Sequence, residues 1–158
     1  MSKLNIGDKA PPFRLPDENG DSVSLDELKG KWIVLYFYPR DNTPGCTTEA
    51  IDFSSSIEDF NAMNARVMGV SRDSMLSHRK FIDKKALKVR LLTDAEHEMM
   101  EDYGIWQLKK LYGKESMGIV RSTFIIDPEG KIAHLWPKVK VKGHVDEVKA
   151  HLKEIASS

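Results

Sequence analysis

The chain has 158 residues, enough for one domain with a sizeable core, and its 24 basic residues balance 24 acidic ones. Zero formal charge argues against electrostatic capture of nucleic acid or an anionic membrane as the main task. A single cysteine excludes an intrachain disulfide and a cysteine-rich metal site, and no apolar run approaches the length of a membrane span. Met1 to Asp8 lacks the apolar centre of a secretory leader, so the expected setting is reducing and cytoplasmic.

Residues 7–24 read as two short extended pieces around an Asn19-Gly20 turn, an N-terminal β-hairpin. Asp26 to Gly30 reads as one helical turn closed by glycine. Trp32 to Tyr38 is apolar at every position, the pattern of a strand buried on both faces. From Cys46 to about Met63 the period is helical, with Ala50, Phe53, Ile57 and Phe60 as the apolar stripe and Cys46 off it. Val67 to Ser71 is the next strand, and Asp73 or Ser74 caps a helix to about Lys85. Val89 to Leu92 is a short strand. Thr93-Asp94-Ala95-Glu96 has capping-box spacing and opens a helix through about Tyr103, ended by Gly104. Residues 105–120 lack a clean period and read as a long loop with a helical turn. Ser122 to Trp136 reads as a hairpin around Asp127-Pro128-Glu129-Gly130, and His144 to about Ile155 as an amphipathic closing helix. Lys138 to Lys142 alternates basic and apolar residues, as a solvated sheet edge does. The alternation predicts an α/β fold with a largely parallel sheet flanked by helices, extended by antiparallel strands, in one domain spanning 1–158.

The chemistry centres on Cys46, delivered by a strand and a short Pro39–Gly45 loop to the start of a helix. A thiol at its ordinary pKa of about 8.5 is only about 3% ionised at pH 7, so a nucleophile needs its anion stabilised. Amides of a helix N-terminus supply part of that, and a neighbouring cation can supply the rest. Thr43 stands three residues before Cys46, with its hydroxyl able to turn back toward the sulfur, and Pro39 and Pro44 stiffen the loop. Glu49 can accept from first-turn amides or hold a cation in place. Tyr38 and Trp106 could wall the site or simply pack in the core. His78, His97, His134, His144 and His151 show no ligand spacing, so no metal is expected.

Pro39-x-x-x-Thr43-x-x-Cys46 resembles the active-site signature of peroxiredoxins, and Phe37 through Glu49 is similar to their bacterioferritin comigratory, or Q-type, branch. Gly7-Asp8-Lys9-Ala10-Pro11-x-Phe13, Tyr103-Gly104-x-Trp106 and the run Met117 to Lys131 carry the likeness nearly end to end. The resemblance implies a thioredoxin-like fold and a cofactor-free peroxidase acting on hydrogen peroxide and organic hydroperoxides. It implies Cys46 as the nucleophile, oxidised to a sulfenic acid, and Thr43 as a hydrogen-bond partner of peroxide and thiolate. Arg121 would stabilise the developing charge and Pro39 would shield the site, with Pro44, Gly45 and Glu49 in support. Many members carry a resolving cysteine at one of two positions that here read Ile51 and Ile82. A one-cysteine cycle is therefore expected, recycled by an external thiol such as thioredoxin, glutaredoxin or glutathione, in a monomer. The competing readings are a thiol-disulfide or glutathionylation-handling protein, and a non-catalytic redox sensor or holdase.

Overall fold

The computed structural model describes residues 4–156; Met1 to Lys3, part of the stretch read above for a leader, lie outside the described residues. Arg14–Pro16 (β1) and Ser22–Ser24 (β2) form the expected hairpin, with Gly20 at φ +82° in its turn. A single 3-10 turn, Asp26–Leu28, leads into Trp32–Phe37 (β3). Pro44–Ser55 (α1), Ile57–Ala62 (α2), Ala65–Ser71 (β4), Met75–Lys85 (α3) and Arg90–Thr93 (β5) follow. The chain continues through Glu98–Asp102 (α4), Trp106–Leu111 (β6), Lys114–Ile119 (β7), Ser122–Ile126 (β8), Ile132–Trp136 (β9) and His144–Ala156 (α5).

The main sheet has the order β5-β4-β3-β8-β9. β3, β4 and β5 run parallel, while β8 is antiparallel to both β3 and β9. This mixed sheet flanked by helices is a thioredoxin-like α/β fold. β3 is the central strand, and its alternation splits the core in two. Ile33, Leu35 and Phe37 pack with Met100, Tyr103 and Phe124 on one face. Val34, Tyr36 and Tyr38 pack with Phe53, Phe60 and Val148 on the other, together with Cys46.

Backbone proximity fixes one core position. A Cβ on Gly69 of β4 would lie 2.6 Å from Tyr36 Cζ and 2.9 Å from Leu91 Cδ2, so only glycine admits the Tyr36 ring. Gly69→Ala is expected to cost about 1–3 kcal/mol by overpacking, read as a lowered midpoint in urea unfolding; an unchanged midpoint would refute this packing role.

Several sequence expectations are corrected. The helix expected from Cys46 to Met63 breaks at Ser56, the last of three consecutive serines, a residue type of modest helix preference. Residues 105–120 form not a loop but the β6–β7 hairpin, turned by Tyr112 and Gly113 at φ +51° and +77°. The capping box at Thr93–Glu96 does not form. His97, left-handed at φ +49°, is the N-cap of α4, and the Asp94 carboxylate instead accepts from the Met100 amide at 2.9 Å. Lys138 to Lys142 is no strand edge; it is a bend whose Val139 amide donates to the Arg121 carbonyl at 2.9 Å.

Candidate active site

The sheet topology brings distant residues together. β3 ends at Phe37 and β8 begins opposite it, Phe37 pairing with Ser122. The loop that leaves β3 toward Cys46 therefore lies at the same sheet end as Arg121, the residue before β8. β4 also finishes there, since Phe37 pairs with Val70. In an open α/β sheet this carboxyl end of the parallel strands is where sites form.

Cys46 is the third residue of α1. Pro44 opens the helix, where its missing N–H costs nothing, and Thr43 is the N-cap at φ −88°, ψ 155°. The Thr43 hydroxyl donates to the Arg40 carbonyl at 2.8 Å rather than turning to the sulfur. With its proton committed there, its oxygen is left to accept from a substrate. The expectation that Cys46 lies off the apolar stripe is corrected. Cys46, Glu49, Ala50 and Phe53 are the buried face of α1, at i, i+3, i+4 and i+7, and Cys46 is only 2% exposed.

Arg121 ties the thiol to Glu49. Its Nη2 donates to Cys46 Sγ at 3.3 Å and its Nη1 to Glu49 Oε1 at 2.6 Å. A guanidinium is thus directed at a sulfur that sits in the first turn of α1. Gly45 permits this approach, since a Cβ there would stand 3.3 Å from Arg121 Nη2. Glu49, fully buried, is the cation holder rather than a first-turn cap. Of the other residues expected at the site, Pro39 is exposed on the loop and Pro44 is exposed at the first position of α1. Tyr38 is buried against this core face, and Trp106 stacks on His97, ring centroids 4.3 Å apart, with the Arg72 guanidinium also over its ring.

Desolvation pushes the Glu49 carboxyl up to about 7, outweighing the attraction of Arg121, and Asp52 adds to the rise. Among the described residues, Glu49 Oε2 and the Tyr36 hydroxyl are the two buried side-chain polar atoms without a hydrogen-bond partner. With Oε1 accepting from Arg121, Oε2 is the oxygen left to take a proton when the carboxyl is neutral. Folded Glu49 holds its proton more tightly than unfolded Glu49. Its contribution to stability is therefore full below pH 4.5 and lost as pH rises through about 7. Relative to Glu49→Gln, the parent should lose up to about 3 kcal/mol between pH 4 and 8.5 in urea unfolding. A constant difference across that range would contradict the raised carboxyl.

The largest cavity described, about 650 Å³, lies on the other core face among Leu4, Ile6, Tyr103, Phe124 and Leu135 and contains no nucleophile. One triad among the described residues, Asp41, Asp73 and His78, brings potential metal-ligand atoms within 4.8 Å of one another. Sequence spacing gave no hint of it, because its members come from the cysteine loop, the segment after β4 and α3.

The AhpC/TSA family model matches residues 6–135 of this chain. The chain belongs to that family. Peroxiredoxin Bcp of Bacillus subtilis is 52% identical over 153 residues, covering 97% of this chain and 98% of the relative. A solved peroxiredoxin Q variant of Xylella fastidiosa superposes with a TM-score of 0.93 at 38% identity, covering 99% of each chain. The bacterioferritin comigratory protein of Xanthomonas campestris, described with alkyl peroxide reduction activity and a trapped intermediate/ligand complex, gives a TM-score of 0.88 at 41% identity over 91% of this chain and 92% of its own. Peroxiredoxin Q from the same organism has also been solved with serine in place of cysteine at two different positions. Within the AhpC/TSA family the chain is thus a Bcp-type peroxiredoxin, and it carries one cysteine.

Proposed function

We propose that the chain, as one domain over 1–158, is a one-cysteine thiol peroxidase for hydrogen peroxide and organic hydroperoxides, acting as a cytoplasmic monomer. The observation that carries this reading is Arg121 bridging Cys46 Sγ and Glu49 at the N-terminus of α1. The Cys46 thiolate attacks one peroxide oxygen. An S–O bond forms as the O–O bond breaks, sulfur loses two electrons, and the departing alkoxide or hydroxide takes a proton to leave as alcohol or water. The Thr43 oxygen accepts from the peroxide O–H, and Arg121 faces the charge that grows on the leaving oxygen. Pro39, Pro44 and Gly45 hold the loop around these groups, with Gly45 small enough to let Arg121 in.

Ile51 is exposed on α1 and Ile82 buried on α3, so neither position offers a second sulfur. An external thiol must attack the sulfenic acid, releasing water and leaving a mixed disulfide, and a second thiol then restores Cys46. Thioredoxin, glutaredoxin and glutathione are the candidate donors. Trapping the oxidised thiol with dimedone after a small excess of hydrogen peroxide tests this. Sulfenate should form orders of magnitude faster than on free cysteine; a rate no faster would favour the redox-sensor reading instead.

A further inference from the structure

We propose that Asp41 and His78 form a buried hydrogen-bonded pair that positions the cysteine loop for the peroxide reaction, an inference that rests on the function proposed above. Asp41 lies in the loop five residues before Cys46, and His78 on α3. His78 Nδ1 is 2.7 Å from Asp41 Oδ2, with side-chain exposures of 0% and 3%. His78 Nε2 is 3.1 Å from the Leu92 carbonyl, which can only accept, so Nε2 carries a proton. Nδ1 faces a carboxylate that already receives the Tyr38 hydroxyl at 2.6 Å and the Ser77 hydroxyl at 2.8 Å. The ring is thus held at both nitrogens, by the Leu92 carbonyl and by Asp41.

The backbone of the same residue is fixed as well. The Asp41 amide donates to Asp73 Oδ2 at 2.8 Å, and that oxygen also receives the Ser71 hydroxyl at 2.7 Å. The three potential metal ligands are therefore already occupied by hydrogen bonds to one another and to Tyr38, Ser71 and Ser77. Through them the loop is joined to the end of β4, to α3 and to β5. Asn42 follows at φ +63°, a strained turn for a residue other than glycine, and Thr43 comes next. The direction in which Thr43 and the first turn of α1 leave the sheet is thus set at Asp41. Neither Asp41 nor His78 touches the sulfur; both are positioning residues.

The test compares the parent with His78→Leu and with the milder Ser77→Ala, which removes a single donor to Asp41. Two bimolecular rates are measured on folded protein, one with hydrogen peroxide and one with iodoacetamide. Peroxide needs Thr43 and Arg121 aligned, whereas alkylation needs only the thiolate. The peroxide rate should fall at least tenfold in His78→Leu and two- to fivefold in Ser77→Ala, with alkylation changed less than threefold. Variants whose two rates fall together or stay within twofold of the parent would overturn the proposal. A parent that itself reacts slowly with peroxide would instead overturn the functional reading beneath it.

Discussion

Replacing Arg121 with methionine should slow the reaction of Cys46 with hydrogen peroxide by about 10²–10³-fold, the usual loss when a preorganised donor to developing charge is removed. The physical cause is double. The sulfur loses its 3.3 Å donor, and the leaving oxygen loses the positive charge that faces it. The same change leaves Glu49 buried without its cation, and breaking a buried pair costs about 3–5 kcal/mol while the remaining group stays ionised. Because Glu49 is already raised to about 7, it answers by protonating, and the destabilisation should be mild at pH 5 and larger at pH 8.5. Adding Glu49→Gln to Arg121→Met should restore stability at pH 8.5 and leave the rate low. Stopped-flow oxidation and urea unfolding separate the two effects. A single variant that reacts as fast as the parent would remove Arg121 from its role.

Thr43→Val should lower the same rate by about 10–10²-fold, the worth of one hydrogen bond to a charged transition state, while Thr43→Ser should stay within a few-fold of the parent. Valine matches threonine in shape and keeps the extended N-cap backbone, but it cannot accept from the peroxide. Serine keeps both the oxygen and the hydrogen bond to the Arg40 carbonyl. If valine and serine behaved alike, Thr43 would be only a turn former.

How much of this could be read in the sequence depended on whether the signal was local. The buried run Trp32 to Phe37, the turn at Gly20 and the helix after Ser74 were legible because neighbouring residues carry their patterns. Ser74 Oγ accepts from the Ser77 amide at 3.1 Å, as its place before an apolar-periodic run suggested. The β6–β7 hairpin was not legible. Leu108, Lys109, Glu115, Ser116 and Met117 are all exposed, so neither face carries the alternation that marks a half-buried strand. The register of Cys46 was misread: it stands four residues before Ala50 and seven before Phe53, so it shares their face of α1.

The site was legible in part. The strand–loop–helix geometry located Cys46, whereas family likeness alone singled out Arg121. Nothing local could join Arg121 to Glu49, 72 residues away; the antiparallel pairing of β8 with β3 does so. Asp41 and His78 escaped for the same reason, since the parallel β3–β4–β5 arrangement assembles their network at one end of the sheet.

The most direct measurement of the central claim is the stoichiometry of peroxide consumption by reduced protein, with and without added thiol. Without thiol, the account expects one equivalent of hydrogen peroxide consumed rapidly per chain, Cys46 converted to sulfenic acid, and then a halt. With a thiol donor, turnover should continue until donor or peroxide is exhausted. Sustained turnover without thiol, or a first equivalent consumed no faster than by free cysteine, would contradict the account.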